Sequence, residues 1–330
     1  MAAMVDAKPA ASVLQGTPLL AAATLPVFTR GIYSTKRITL ETSSPSSPPP
    51  PKPLIIVTPA EKGTFNVILF LHGTSLSNKS YSKIFDHIAS HGFIVVAPQL
   101  YTSIPPPSAT NELNSAAEVA KWLPQGLQQN LPENTEANVS LVAVMGHSRG
   151  GQTAFALSLR YGFGAVIGLD PVAGTSKTTG LDPSILSFDS FDFSIPVTVI
   201  GTGLGGVARC ITACAPEGAN HEEFFNRCKN SSRAHFVATD YGHMDILDDN
   251  PSDVKSWALS KYFCKNGNES RDPMRRCVSG IVVAFLKDFF DGDAEDFRQI
   301  LKDPSFAPIK LDSVEYIDAS SMLTTTHVKV

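Results

Sequence analysis

Short runs that are apolar at every position alternate along this chain with longer segments whose apolar residues recur at helical spacing. The runs are Val67–Leu71, Phe93–Ala97, Leu141–Met145, Ala165–Leu169, Val197–Ile200 and Phe236–Ala238. A strand with one wet face would alternate apolar and polar residues. These do not, so both faces are buried, as in a mostly parallel central sheet covered by helices on both faces. Two earlier extended segments, Tyr33 to Leu40 and Leu54 to Pro59, bring the expected total to about eight strands. The intervening segments supply the helices. One runs to Ser90 from a cap at Asn78 or Ser80, another from Asn111 through Trp122, and a third over Ile281 to Phe290.

On such an α/β sheet, ligands sit beyond the carboxyl ends of the strands, so chemistry should follow the apolar runs. Directly after Leu141–Met145 comes Gly146-His147-Ser148-Arg149-Gly150-Gly151, and a helical segment follows it. A G-x-S-x-G between strand and helix predicts a nucleophile elbow, in which Ser148 is lifted into the cleft by a strained turn. The fold expected from this context is the α/β-hydrolase fold. Its acid and base follow the nucleophile in that order. Of His221, His235 and His243, the last lies on the loop past Phe236–Ala238, whereas His235 sits at the wrong end of that strand and His221 in a polar, acidic segment. Asp170 ends the run Ala165–Leu169 and precedes Pro171, which cannot continue a central strand. The loop after Val197–Ile200 offers no carboxylate before Glu217. The expected triad is therefore Ser148, Asp170 and His243. The expected oxyanion donors are the Arg149 amide and one from Thr74 or Ser75, in the loop after Val67–Leu71.

Composition narrows the alternatives. A chain of 330 residues with 43% hydrophobic content can bury a large core, and a net charge of −4 with scattered basic residues excludes a nucleic-acid partner. No segment is long and apolar enough to span a membrane, which leaves peripheral contact open. Residues 1–25 form an Ala-rich, acid-poor extension, read as a short transit peptide though it lacks arginines; 26–330 form the hydrolase domain. Within it lie a stiff Pro-rich connector, 43–53, and lid-like insertions around 173–195 and 204–233. The five cysteines are read as buried thiols or one local disulfide; Cys210, Cys214 and Cys228 lack the spacing of a zinc site, so no metal is expected. Gly201-Thr202-Gly203-Leu204-Gly205-Gly206 satisfies a dinucleotide fingerprint, but no clean helix and second strand follow it, so it is read as a loop beside the cleft. Asp245, Asp248 and Asp249 lack a calcium-loop pattern and are read as capping or solvating a helix start.

Four segments, Leu71-His72-Gly73-Thr74, Gly146 to Gly151, Gly168-Leu169-Asp170-Pro171-Val172-Ala173-Gly174 and Asp240-Tyr241-Gly242-His243, resemble plant chlorophyllases over about Val27 to Phe290. The resemblance implies a chloroplast enzyme that hydrolyses the phytyl ester of chlorophyll to chlorophyllide and phytol, with a Ser-Asp-His triad and no cofactor. It places that triad on Ser148, Asp170 and His243. A long apolar alcohol needs an apolar wall, and Phe188, Phe191, Phe193, Phe224 and Phe225 in the two insertions are the expected contacts. A general lipase or carboxylesterase is the alternative within enzymes. A non-catalytic ligand-binding protein of the same fold is the alternative outside them. Oligomeric state is not legible.

Overall fold

The computed structural model describes residues 24–174, 184–209, 212–251 and 254–319. The expected transit peptide lies outside these residues except for Thr24 and Leu25. Among the described residues eleven strands are formed: β1 Thr35–Leu40, β2 Leu54–Pro59, β3 Gly63–Leu71, β4 Phe93–Pro98, β5 Thr135–His147, β6 Ala165–Leu169, β7 Phe191–Asp192, β8 Val197–Thr202, β9 Cys228–Lys229, β10 Arg233–Ala238 and β11 Leu311–Ile317. Nine of them make one sheet in the order β1-β2-β4-β3-β5-β6-β8-β10-β11, while β7 and β9 pair separately. Strands β3, β4, β5, β6, β8 and β10 run parallel, and β1, β2 and β11 are antiparallel to their neighbours.

The helices are α1 Ser82–Ser90, α2 Ala109–Gly126, α3 Arg149–Ser158, α4 His221–Arg227, α5 Val254–Ala258, α6 Arg271–Leu286 and α7 Glu295–Lys302. Alternate residues of each strand feed two separate cores, as a sheet buried on both faces requires. Ile68, Phe70, Val95 and Ala97 join α1 and α6 on one face, through Phe85, Ile88 and Ile281. Val67, Leu69, Ile94 and Val96 join α2, α3 and α4 on the other, through Leu113, Phe155 and Phe224.

Differences from the sequence reading have local causes. The large sheet holds nine strands because β11 adds to its edge. Its residues are mostly exposed and its apolar positions, Leu311, Val314 and Ile317, fall every third place instead of every second. The caps also differ: Ser77 caps a 3-10 turn over Asn78–Tyr81, Asp248 accepts from the first amides of α1, and Ser108 caps α2. The carboxylates at 245, 248 and 249 thus serve as braces, since Asp245 pairs with Arg271 and Asp249 with Arg275. The Pro-rich connector lies against α2, where the Trp122 indole donates to the Pro48 carbonyl at 2.9 Å. Cys214 and Cys264 form a disulfide across 50 residues, so the linkage is not local, and Cys228 and Cys277 are buried thiols. Cys210 lies outside the described residues. Among the described residues no helix is long and apolar enough to cross a membrane.

Candidate active site

Strand β5 runs through the middle of the sheet and delivers His147 and Ser148 to its carboxyl edge, where α3 begins at once. The turn is tight enough that a Cβ on Gly146 would stand 2.1 Å from the Gly150 carbonyl oxygen, and one on Gly150 would stand 2.3 Å from that of Leu71. Only glycine fits at both positions. Ser148 takes φ 57° and ψ −127°, a conformation that costs a serine on the order of 1–3 kcal/mol. Bonds to β6 and to the segment just after it hold it there. Its amide donates to the Leu169 carbonyl at 3.0 Å, and its carbonyl accepts from Val172 at 3.0 Å.

Three strands from β5, the loop after β10 brings His243 over the elbow. Its Nε2 lies 2.9 Å from Ser148 Oγ and its Nδ1 lies 2.7 Å from Asp170 Oδ2. All three residues are buried. Asp170 stands at the end of β6 and accepts two further bonds from β8, from the Thr202 amide at 3.1 Å and the Thr202 hydroxyl at 2.7 Å. Burial alone would push its carboxyl up. The hydrogen bond and charge of His243, then the charge of His221 and the Thr202 hydroxyl, outweigh burial and hold it below the usual carboxylate value. A carboxylate that accepts the Nδ1 hydrogen leaves Nε2 as the acceptor facing the serine hydroxyl. His221 is elsewhere: its Nδ1 meets His235 Nε2 at 2.9 Å, and the pair lies behind Asp170 with no bond to Ser148.

A second network, unforeseen in the sequence, braces the first. His147 is fully buried, and its Nε2–H donates to the carbonyl of His243 at 3.0 Å. Its Nδ1 is then an acceptor and takes the Tyr81 hydroxyl at 2.8 Å; the Tyr81 oxygen in turn accepts the Gly73 amide at 3.1 Å. This chain ties the elbow, the His243 loop and the loop after β3 to one another. Burial drives the His147 pKa down to about 3, so the ring stays neutral and keeps this donor order. Asp245 supports the same loop from below, accepting from the amides of Gly242 at 2.8 Å and Gly267 at 2.6 Å.

Arg149, the first residue of α3, sends its side chain into an ion pair with fully buried Glu112 of α2 and donates also to the Pro107 carbonyl. Thr153 adds its hydroxyl to Glu112 at 3.0 Å. The Arg149 amide, like others in a first helical turn, has no intrahelical partner. Across the cleft, Thr74 and Ser75 follow Gly73, whose own amide is taken by Tyr81. Ser75 adopts φ 56°.

The five phenylalanines divide. Phe191, Phe193, Phe224 and Phe225 are buried in the core, the first three ringed around Phe155 at 5.1–5.8 Å, so they face the back of α3 and not a cleft. Phe188 is 56% exposed and lines a cavity of about 400 Å³. The Gly201 segment, read as a loop beside the cleft despite its dinucleotide fingerprint, carries Thr202 to Asp170 and is fixed by Leu204 donating to the Tyr241 carbonyl. No sequence signal marked Tyr81, Glu112 or Thr202, because each meets its partner across 32 to 66 residues of chain.

A central parallel sheet with a serine at a strand-to-helix elbow, an imidazole on its hydroxyl and a carboxylate behind defines the α/β-hydrolase class. Similarity to known proteins agrees: a cutinase of Thermobifida alba is 27% identical over 240 residues, covering 72% of this chain and 65% of its own. The family model described as chlorophyllase matches residues 23–318. A chlorophyllase-1, chloroplastic, of Citrus unshiu is 99% identical over the full length of both chains, and a chlorophyllase-1 of Arabidopsis thaliana is 42% identical over 94% of this chain and 98% of its own. The chain belongs to the chlorophyllase family and is a carboxylic ester hydrolase. The chloroplast placement implied by its motifs agrees with the name of the Citrus relative.

Proposed function

We propose that the protein hydrolyses the phytyl ester of chlorophyll through an acyl-enzyme on Ser148. The observation that carries the reading is the unbroken line from Ser148 Oγ through His243 to Asp170, at 2.9 and 2.7 Å. Oγ attacks the ester carbonyl carbon while its proton passes to His243 Nε2, and Asp170 stabilises the imidazolium that results. The carbonyl oxygen becomes an oxyanion, received by the Arg149 amide and one from Thr74 or Ser75. The carbon–oxygen bond to the alcohol then breaks, and phytol leaves with the proton from Nε2. Water repeats the sequence on the acyl-enzyme, giving its proton to His243, and the chlorophyllide carboxyl is released as Ser148 recovers its hydrogen.

The cavity beside Phe188 supports an apolar alcohol. Leu113, Ala156, Leu159 and Ile185 complete its apolar wall, and Gln152, one helical turn beyond Ser148, lines it as well. The test is release of phytol from chlorophyll by the wild-type chain and by Ser148→Ala, alongside a short nitrophenyl ester. The reading predicts turnover of both esters by the wild type and a loss of at least about 10³-fold for both in the variant, without loss of the fold. Hydrolysis of chlorophyll undiminished in Ser148→Ala would overturn it.

A further inference from the structure

Nine large apolar side chains are exposed among the described residues, and six of them, Ile104, Val207, Val254, Trp257, Tyr262 and Phe263, lie on the segments that follow the carboxyl ends of β4, β8 and β10, the last four on α5 and the helical turn that continues it. That is the edge of the sheet where Ser148 and His243 stand. Val254 is 79% exposed, Ile104 66% and Phe263 59%, values unusual for residues of this kind grouped on one edge.

The loops are joined. Lys255 Nζ donates to the Thr102 carbonyl at 3.3 Å, Arg209 donates to the Lys261 carbonyl, and the Cys214–Cys264 disulfide fastens the loop after β8 to the segment after β10. Ser256 Oγ accepts from Ser77, just past the loop that carries Thr74 and Ser75, and Val254 and Lys255 line a 350 Å³ cavity together with Ser75 and Tyr101. The apolar tips thus border the mouth of the site.

Charge and side-chain type identify the occupant. The chain carries a net charge of −4, yet Val254 to Asn266 contains three lysines and no acid. Lys261 Nζ sits 5.0 Å from the Trp257 ring and 5.7 Å from that of Tyr262, so its ammonium is held at the level of two amphipathic rings. Amphipathic rings with a lysine over their faces, set among exposed aliphatic side chains and further lysines, suit the boundary between lipid headgroups and acyl chains, with anionic headgroups favoured. We propose that this edge docks on a bilayer surface, with Val254, Trp257, Tyr262 and Phe263 entering the interface, so that an ester with an apolar tail passes from lipid to Ser148 without crossing water. The proposal rests on the reading of the substrate given above.

The test is co-sedimentation of the full chain with vesicles of equimolar phosphatidylcholine and phosphatidylglycerol, set beside the triple variant Val254→Ser, Trp257→Ser, Phe263→Ser. Wild type should sediment with vesicles, and the variant should partition at least about tenfold less, since three apolar side chains are lost from the contact. Hydrolysis of an ester embedded in the vesicles should fall with it, while turnover of a soluble nitrophenyl ester stays within about twofold, which also shows that the variant is folded. The pair Lys255→Glu, Lys261→Glu should lose the preference for phosphatidylglycerol. Wild-type chain left in the supernatant, or equal sedimentation of wild type and triple variant, would overturn the proposal. Failure of the soluble ester in the wild type would instead count against the triad.

Discussion

At the scale of single residues, the elbow around Ser148 could be read from the sequence because its requirements are local. Two glycines, a serine and two element boundaries occupy five consecutive positions, Gly146 to Gly150, and the structure shows a carbonyl waiting where either flanking Cβ would go. Asp170 and His243 were legible for another reason: both follow a strand, and the fold puts strand ends together. His147 and Tyr81 were not. Their bond spans 66 residues, and nothing in either local sequence distinguishes a ring that braces from one that merely packs. Tyr81→Phe tests the brace. It keeps the contacts with Phe70 and Phe85 but leaves His147 Nδ1 and the Gly73 amide without the partner they have now. Stability should fall by about 1–3 kcal/mol in denaturant unfolding. The rate constant kcat should drop on the order of tenfold with KM little changed, because the loops carrying His243 and Thr74 lose their common tether. Unaltered kcat would show that the network is only structural.

At the scale of elements, the apolar runs predicted the six parallel strands because burial on both faces leaves no other pattern. The same reasoning missed β11, an edge strand with little to bury, and it offered Phe191, Phe193, Phe224 and Phe225 as substrate contacts when the first three pack against Phe155 and the last stacks on His235. Aromatic content marks an apolar surface without saying which side of a helix it covers. The tie between α2 and α3 was equally hidden. Glu112 is fully buried, which raises its carboxyl, and the Arg149 charge and hydrogen bond oppose that rise. Removing one partner strands the other in the core. Glu112→Leu should therefore destabilise the protein by about 3–5 kcal/mol, and Glu112→Leu combined with Arg149→Met should recover much of the loss. Chemical unfolding of the two single variants and the double checks this, and additive losses would contradict it.

At the scale of the whole molecule, the fold stores several imidazoles that it cannot easily protonate. Burial lowers His72 to about 4, and His147 and His235 to about 3, against an ordinary value of 6.5. In each case the unfolded chain takes up the proton first, so the stability contributed by the neutral ring is complete above about pH 6.5 and is lost as pH falls toward the folded value. Each such ring costs on the order of 2 kcal/mol between pH 6.5 and pH 5. The urea midpoint should accordingly fall steeply over that interval; a flat midpoint would mean these rings are hydrated or mobile in the folded state. The central claim concerns the single line of atoms from serine to carboxylate, and covalent labelling tests it most directly. Wild type treated with a fluorophosphonate and analysed by peptide mass spectrometry should carry one label, on Ser148, and His243→Ala should label at least about a hundredfold more slowly. Modification of another residue, or equal labelling of the two proteins, would contradict the account.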